Sequence, residues 1–379
     1  VPIEDVANVF IGDFDGDGTV ELVAQHHSAE VLERVRDFGS SSPTVTRHDL
    51  GRSFPLGPVP LSDRDALVVR RLSEDGIAAF QWRGADLVRL PGGTARLRRR
   101  GVIGDAHCPT AQWFDVDRDG VDDPIAFGPG SSRQCSIAGT SGERTVWIGR
   151  GTAAGSTKAA VRTSITVPET IVSDLRFGDI DGDGTTDAVV LGARMRRYYA
   201  TEQARLAVYF GRPDGSFEDP MRLTIPQTAK DLHVVDIDGD GDLELGLTAG
   251  EGDRLTIVES ATDRSFSAPR GHAPGPRTSS SAFFVTFALL DVDDDGRQEL
   301  LESRPDGEGG SILSLFAFDG GTYDNVAHVG GGNGVTYRLL TESMVTFGGR
   351  SGVLVEEREA GPLTDAQTQL ALWSPCQPS

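Results

Sequence analysis

The sequence predicts an all-β fold, and three observations carry the prediction. One acidic loop recurs five times within 379 residues. Each copy leads straight into a short apolar run, as where Asp179-Ile-Asp-Gly-Asp-Gly-Thr-Thr-Asp187 passes into Ala188-Val-Val-Leu191. Glycine, 47 residues of the chain, punctuates short stretches rich in Val, Ile and Phe, and no long stretch carries a 3.6-residue apolar period.

The repeats set the organisation. Complete loops begin at Asp13, Asp115, Asp179, Asp236 and Asp291, so the later gaps are 64, 57 and 55 residues and the first is 102, about two periods. A further unit is therefore expected near residue 63, where Leu61-Ser-Asp63-Arg-Asp65 precedes an apolar run as a shortened loop. One period beyond Asp291, Met344–Val355 keeps a strand–turn–strand outline without the acids. In the fourth unit, strands are expected over 173–178, 188–191, 206–210 and 221–225, with Arg212-Pro-Asp-Gly215 as a turn. Seven such antiparallel sheets fit one domain over residues 1–379, a seven-bladed β-propeller of four-stranded blades, which shields its sheet edges by circular closure. Blades are expected at about 4–50, 51–100, 101–168, 169–226, 227–270, 271–330 and 331–379, the last completed by residues 1–3 pairing near Gln369–Trp373.

Loop chemistry points to a hard cation. Carboxylates at positions 1, 3, 5 and 9 are Asp13, Asp15, Asp17 and Glu21; Asp115, Asp117, Asp119 and Asp123; Asp179, Asp181, Asp183 and Asp187; Asp236, Asp238, Asp240 and Glu244; and Asp291, Asp293, Asp295 and Glu299. Position 7, with the varied side chains of Thr19, Val121, Thr185, Asp242 and Arg297, suits a backbone carbonyl ligand. Position 6 is always glycine, which permits the sharp reversal. Ca²⁺ takes six to eight oxygens at about 2.3–2.6 Å, and about five such ions are expected. No His or Cys stands in any loop, which argues against zinc or copper.

These Asp-x-Asp-x-Asp-Gly-x-x-Asp/Glu loops and their seven-fold count resemble the FG-GAP/VCBS repeat family, best known from the propeller heads of integrin α subunits. The resemblance covers nearly the whole chain. It implies that each loop joins the first and second strands of a blade and holds calcium on one face, while partners meet the opposite face. Here the first and third units carry metal loops, which integrin propellers usually lack there, and the chain has no Arg-Gly-Asp sequence and no domain inserted between blades.

Composition narrows the partners. The formal charge of −21 opposes nucleic acid, and no apolar run reaches the roughly 20 residues of a membrane helix. Five Ca²⁺ would bring the charge to about −11. Lys158 and Lys230 are the only lysines, an arginine bias expected of a GC-rich bacterial genome. Cys108 and Cys135 lie in adjacent connections of the third unit and are expected to form a disulfide, leaving Cys376 over. Val1 reads as the start of a mature or trimmed chain, and calcium-loaded modules of this kind belong outside the cytoplasm, secreted or at the cell surface.

Long connections are expected on the face opposite the acidic loops. The richest, within 192–205, is basic and aromatic: Arg194, Arg196, Arg197, Tyr198 and Tyr199. Arginine and aromatic residues are favoured in binding hot spots. His26, His27, His107, His272, Arg277 and Arg304 are expected on the same face. The leading expectation is a non-enzymatic module that binds a protein or glycan outside the cytoplasm; a further reading is a structural module inside a larger surface protein or assembly. The alternative is a polysaccharide lyase or hydrolase, with His26, His107, Tyr198 and arginines available to it, although no nucleophile elbow or zincin motif is present. Gly330–Gly334 reads as a turn, and Arg96–Arg100 as a solvated strand end or loop in preference to a nucleic-acid patch.

Overall fold

The computed structural model describes residues 6–26, 31–38, 42–50, 53–60, 65–71, 76–83, 86–89, 111–120, 123–127, 144–150, 158–167, 171–195, 201–225, 229–249, 255–272, 286–306, 310–319, 322–330, 335–339, 345–347, 350–359 and 368–373. Their strands form seven four-stranded antiparallel sheets, met one after another along the chain. The first six are simple meanders. They span residues 6–49, 53–89, 111–167, 171–223, 229–272 and 286–330.

The seventh sheet is built differently. Strand Arg350–Glu359 pairs with three others: Val335–Leu339, Val345–Phe347 and Thr368–Trp373. The sheet is therefore not a simple meander. The outer strand expected from residues 1–3 lies outside the described residues.

Runs such as Ala188–Leu191 are apolar at every position because both sheet faces are buried. Ala188 and Val190 pack with Ile125, Ile148 and Leu175 on the side of the third sheet, whereas Val189 and Leu191 pack with Leu232, Leu245 and Val258 on the side of the fifth. This is the two-residue alternation of a strand, with apolar neighbours on both sides. The same pattern links the fifth sheet to the sixth and the sixth to the seventh. Leu354 of the seventh sheet packs with Leu22, Val35 and Phe38 of the first.

The 192–205 stretch differs from its expected form as a long connection. Strands Asp187–Met195 and Thr201–Tyr209 stay paired as far as Met195 opposite Thr201. Arg194 therefore belongs to a strand, opposite Gln203. Arg196, Arg197, Tyr198 and Tyr199 lie outside the described residues, as do Cys108, Cys135 and Val121.

Candidate metal centres

Each acidic loop joins the first and second strands of its sheet, and all five coil in the same way. Positions 4 and 6 both have positive φ. At position 4 the residues are Gly16, Arg118, Gly182, Gly239 and Asp294, with φ between +56° and +79°. At position 6 the five glycines have φ between +81° and +95°. A Cβ at Gly184 would meet nothing within 4 Å, so glycine is needed there for its backbone angle and not for space.

The coil turns backbone N–H groups onto the carboxylates. The position-6 N–H donates to Oδ2 of the first aspartate in every loop: Gly18 to Asp13, Gly120 to Asp115, Gly184 to Asp179, Gly241 to Asp236 and Gly296 to Asp291, at 2.8–3.0 Å. Position 7 donates to position 5 in four loops, for example Thr185 N to Asp183 Oδ1 at 2.8 Å. The ninth residue closes the loop from the strand. Asp123, Asp187, Glu244 and Glu299 accept the N–H of Val116, Ile180, Ile237 and Val292 at 2.7–3.3 Å.

Carboxylate oxygens converge as a result. Asp115, Asp117 and Asp123, then Asp179, Asp181 and Asp187, then Asp236, Asp238 and Glu244 each offer oxygens within 4.8 Å of one another. So do Asp13, Asp15 and Asp17, and Asp291, Asp293 and Asp295. Burial pushes the ninth-position groups up, Glu244 to about 7 and Asp187 to about 6, with the neighbouring aspartates adding to the effect. The buried Asp179 Oδ1 has no hydrogen-bond partner. An all-oxygen set of crowded carboxylates with an unspent buried oxygen fits a hard divalent cation.

Neighbouring loops lie at one end of the sheet array. Arg118 Nη2 of the third loop stands 3.3 Å from Asp179 Oδ2 of the fourth, and a Cβ on Gly239 of the fifth would stand 3.1 Å from Gly296 O of the sixth. The turn between the third and fourth strands reaches the same end. Gly211 N donates to Asp187 Oδ1 at 2.7 Å, and a Cβ at Gly211 would lie 2.2 Å from Thr186 O. In the fifth sheet the equivalent turn places Arg264 at φ +65°, where Gly215 sits in the fourth. Its guanidinium reaches back to Asp181 at 2.6 Å, to Asp183 at 3.3 Å and to Glu218 at 3.1 Å.

The shortened loop of the second unit has another use. Asp65 Oδ2 accepts Asp13 N and Asp65 N donates to Asp13 O, both at 2.7 Å. This reciprocal clamp ties the second sheet to the first loop. Sequence reasoning missed it, as it missed position 4, where glycine in three of five loops was the available signal.

The first loop also carries a buried network. Arg34 Nη2 meets Asp15 Oδ2 at 2.5 Å and Glu21 Oε1 at closer range, and its guanidinium lies over the Trp82 ring, 5.2 Å from the centroid. Trp82 Nε1–H donates to His48 Nε2 at 2.9 Å. His48 is held below its ordinary value by burial first and by the Arg34 charge second, against a smaller opposing pull from Asp86. A base whose folded-state value is depressed stabilises the fold above its unfolded value of 6.5, and that contribution is lost as pH falls through 6.5. Melting temperature measured at pH 8 and pH 5.5 should therefore drop more in the wild type than in His48→Gln. Equal drops would remove His48 from the acid response.

Among the other residues expected on the far face, His26 Nε2 stands 3.4 Å from Glu33 Oε2, and Arg304 lies half-buried in strand Glu299–Pro305. His27, His107 and Arg277 fall outside the described residues.

No family model matches the chain, and no curated protein does. Among solved structures it is similar to BBS1N, seen in a crystal structure of its complex with ARL6DN soaked with lead, at 10% identity and a TM-score of 0.54 over 99% of this chain and 94% of that one. The likeness shows the fold alone: a β-propeller-like array of four-stranded sheets. A Photorhabdus luminescens Tc holotoxin pore chain matches at 14% identity and a TM-score of 0.42, over 94% of this chain and 17% of that one.

Proposed function

We propose that this chain is a calcium-stabilised, seven-bladed propeller of the FG-GAP/VCBS kind that works outside the cytoplasm and binds a protein or glycan. The carrying observation is the five-fold convergence of aspartate oxygens in loops of one backbone geometry. Packing of Leu354 against the first sheet supports a closed ring of seven. Calcium, when bound, supplies the positive charge that lets a loop hold its carboxylates together. The chain's own part is to aim them, through the position-6 N–H and the ninth-position carboxylate bonded across the loop.

Recognition is assigned to the opposite end, to Arg194 at the far end of strand Asp187–Met195 and to Arg196, Arg197, Tyr198 and Tyr199, which follow it in the sequence. Loops on a rigid scaffold commonly carry binding. Glycan-array and pull-down screens should find a ligand whose binding is abolished by replacing Arg196, Arg197 and Tyr199 together with alanine, with calcium affinity unaltered. Binding retained by that variant would discard this surface. New reducing ends or unsaturated uronates in the same screen would favour the lyase or hydrolase alternative.

A further inference from the structure

We infer that the first acidic loop is closed by arginine in place of calcium, so that the five loops fall into two classes: four cation sites and one internal ionic clip. This rests on the calcium reading of the other loops and sharpens it.

Register gives the first argument. Arg34 faces Val23, two residues beyond the ninth position of its loop. The matching residues in the third, fourth, fifth and sixth sheets are Ile148, Val208, Ile257 and Leu315, opposite Ile125, Val189, Gly246 and Leu301. Four sheets thus carry an aliphatic side chain where the first carries a guanidinium. That guanidinium is buried, with Arg34 only 1% exposed. It cannot withdraw to water as the partly exposed Arg264 can.

The contacts give the second. Arg34 bridges positions 3 and 9, Asp15 and Glu21. Arg36 meets Asp15 at 3.1 Å, Asp17 at 2.9 Å and Glu21 at 3.3 Å. Two guanidinium charges therefore sit among the four carboxylates and deliver the charge of one divalent ion. In the other four loops the ninth-position carboxylate accepts the N–H of position 2. Glu21 is turned to Arg34 instead, and its Oε2 has no hydrogen-bond partner. Asp13, Asp15 and Asp17 still converge, but the space between positions 3 and 9 is filled.

Arg264 tests the distinction within the same structure. It approaches the fourth loop from the solvent side, at 36% side-chain exposure against 2% for Arg34. Its bonds go to positions 3 and 5 and to Glu218, leaving Asp187 to its backbone donors. A cation entering that loop can displace it. Arg34 has no such exit: it is buried and lies over the Trp82 ring, which itself meets Phe14 edge to face at 5.3 Å.

Equilibrium dialysis against calcium, with metal and protein assayed in the same sample, tests the division. The expected count is four ions per chain, unchanged in Asp15→Asn and reduced by one in Asp236→Asn. The double variant Arg34→Val with Arg36→Thr should gain an ion. Five ions in the wild type, or the loss of one in Asp15→Asn, would overturn the inference while leaving the calcium reading intact. No bound calcium at all would overturn both. Should Asp15→Asn fail to fold, the wild-type count still separates four from five.

Discussion

Removal of calcium is expected to lower the melting temperature by about 10 °C or more. The four loops without a buried arginine each hold four carboxylates in a small volume. Two unit charges about 4 Å apart repel by about 4 kcal/mol at an effective dielectric near 20. Burial first, and the neighbouring aspartates after it, hold Glu244 up to about 7 and Glu299 above its ordinary value. A ligand at ten times its dissociation constant stabilises by about 1.4 kcal/mol per site, so four sites give about 6 kcal/mol. At about 2 °C per kcal/mol, the difference is on the order of 10 °C. Differential scanning calorimetry in 10 mM calcium and in excess chelator measures it. Superimposable transitions would sink the calcium reading. Magnesium at the same concentration should restore little, because it prefers rigid octahedral, partly hydrated sites.

How far these centres could be read from sequence follows from which contacts are local. Positions 1, 3, 5, 6 and 9 lie within nine residues of chain, and their hydrogen bonds span two to seven residues. The strands beside them were legible for the same reason, since both-face burial leaves the continuous apolar run of Ala188–Leu191. Arg34 was not legible. Val31-Leu-Glu-Arg-Val-Arg36 reads as an ordinary polar-tolerant strand, and only the register against Glu21–His26 shows that its fourth residue is buried. An arginine at the third-strand position where other units place Ile148, Val208 or Leu315 was the signal available. Asp65 and Arg264 were hidden likewise, because each acts on a loop 52 or more residues away in the chain. Strands Asp187–Met195 and Thr201–Tyr209 were read too short, as 188–191 and 206–210, because their far halves are polar, and their pairing supplied what side-chain pattern did not.

Trp82→Ala is expected to cost about 3–5 kcal/mol, the range for removing a buried aromatic. Trp82 is fully buried and touches three parts of the first sheet: Phe14 of the loop, Arg34 of the third strand and His48 of the fourth. Truncation opens a cavity, strips the apolar cover from a buried guanidinium and leaves His48 Nε2 without its donor. Trp82→Phe keeps most of the ring and should cost about 1–3 kcal/mol, the penalty of one unsatisfied buried polar group. Urea unfolding of both variants with and without calcium distinguishes this pin from the metal loops. If arginine closes the first loop, the Trp82→Ala loss should be equal in calcium and in chelator. The loss on Asp236→Asn should instead vanish in chelator, where its loop has no ion to lose. A Trp82→Ala loss below about 1 kcal/mol, outside the range expected for a core truncation, would show that the first two sheets are held by something else. The Asp13–Asp65 clamp would be the next contact to cut.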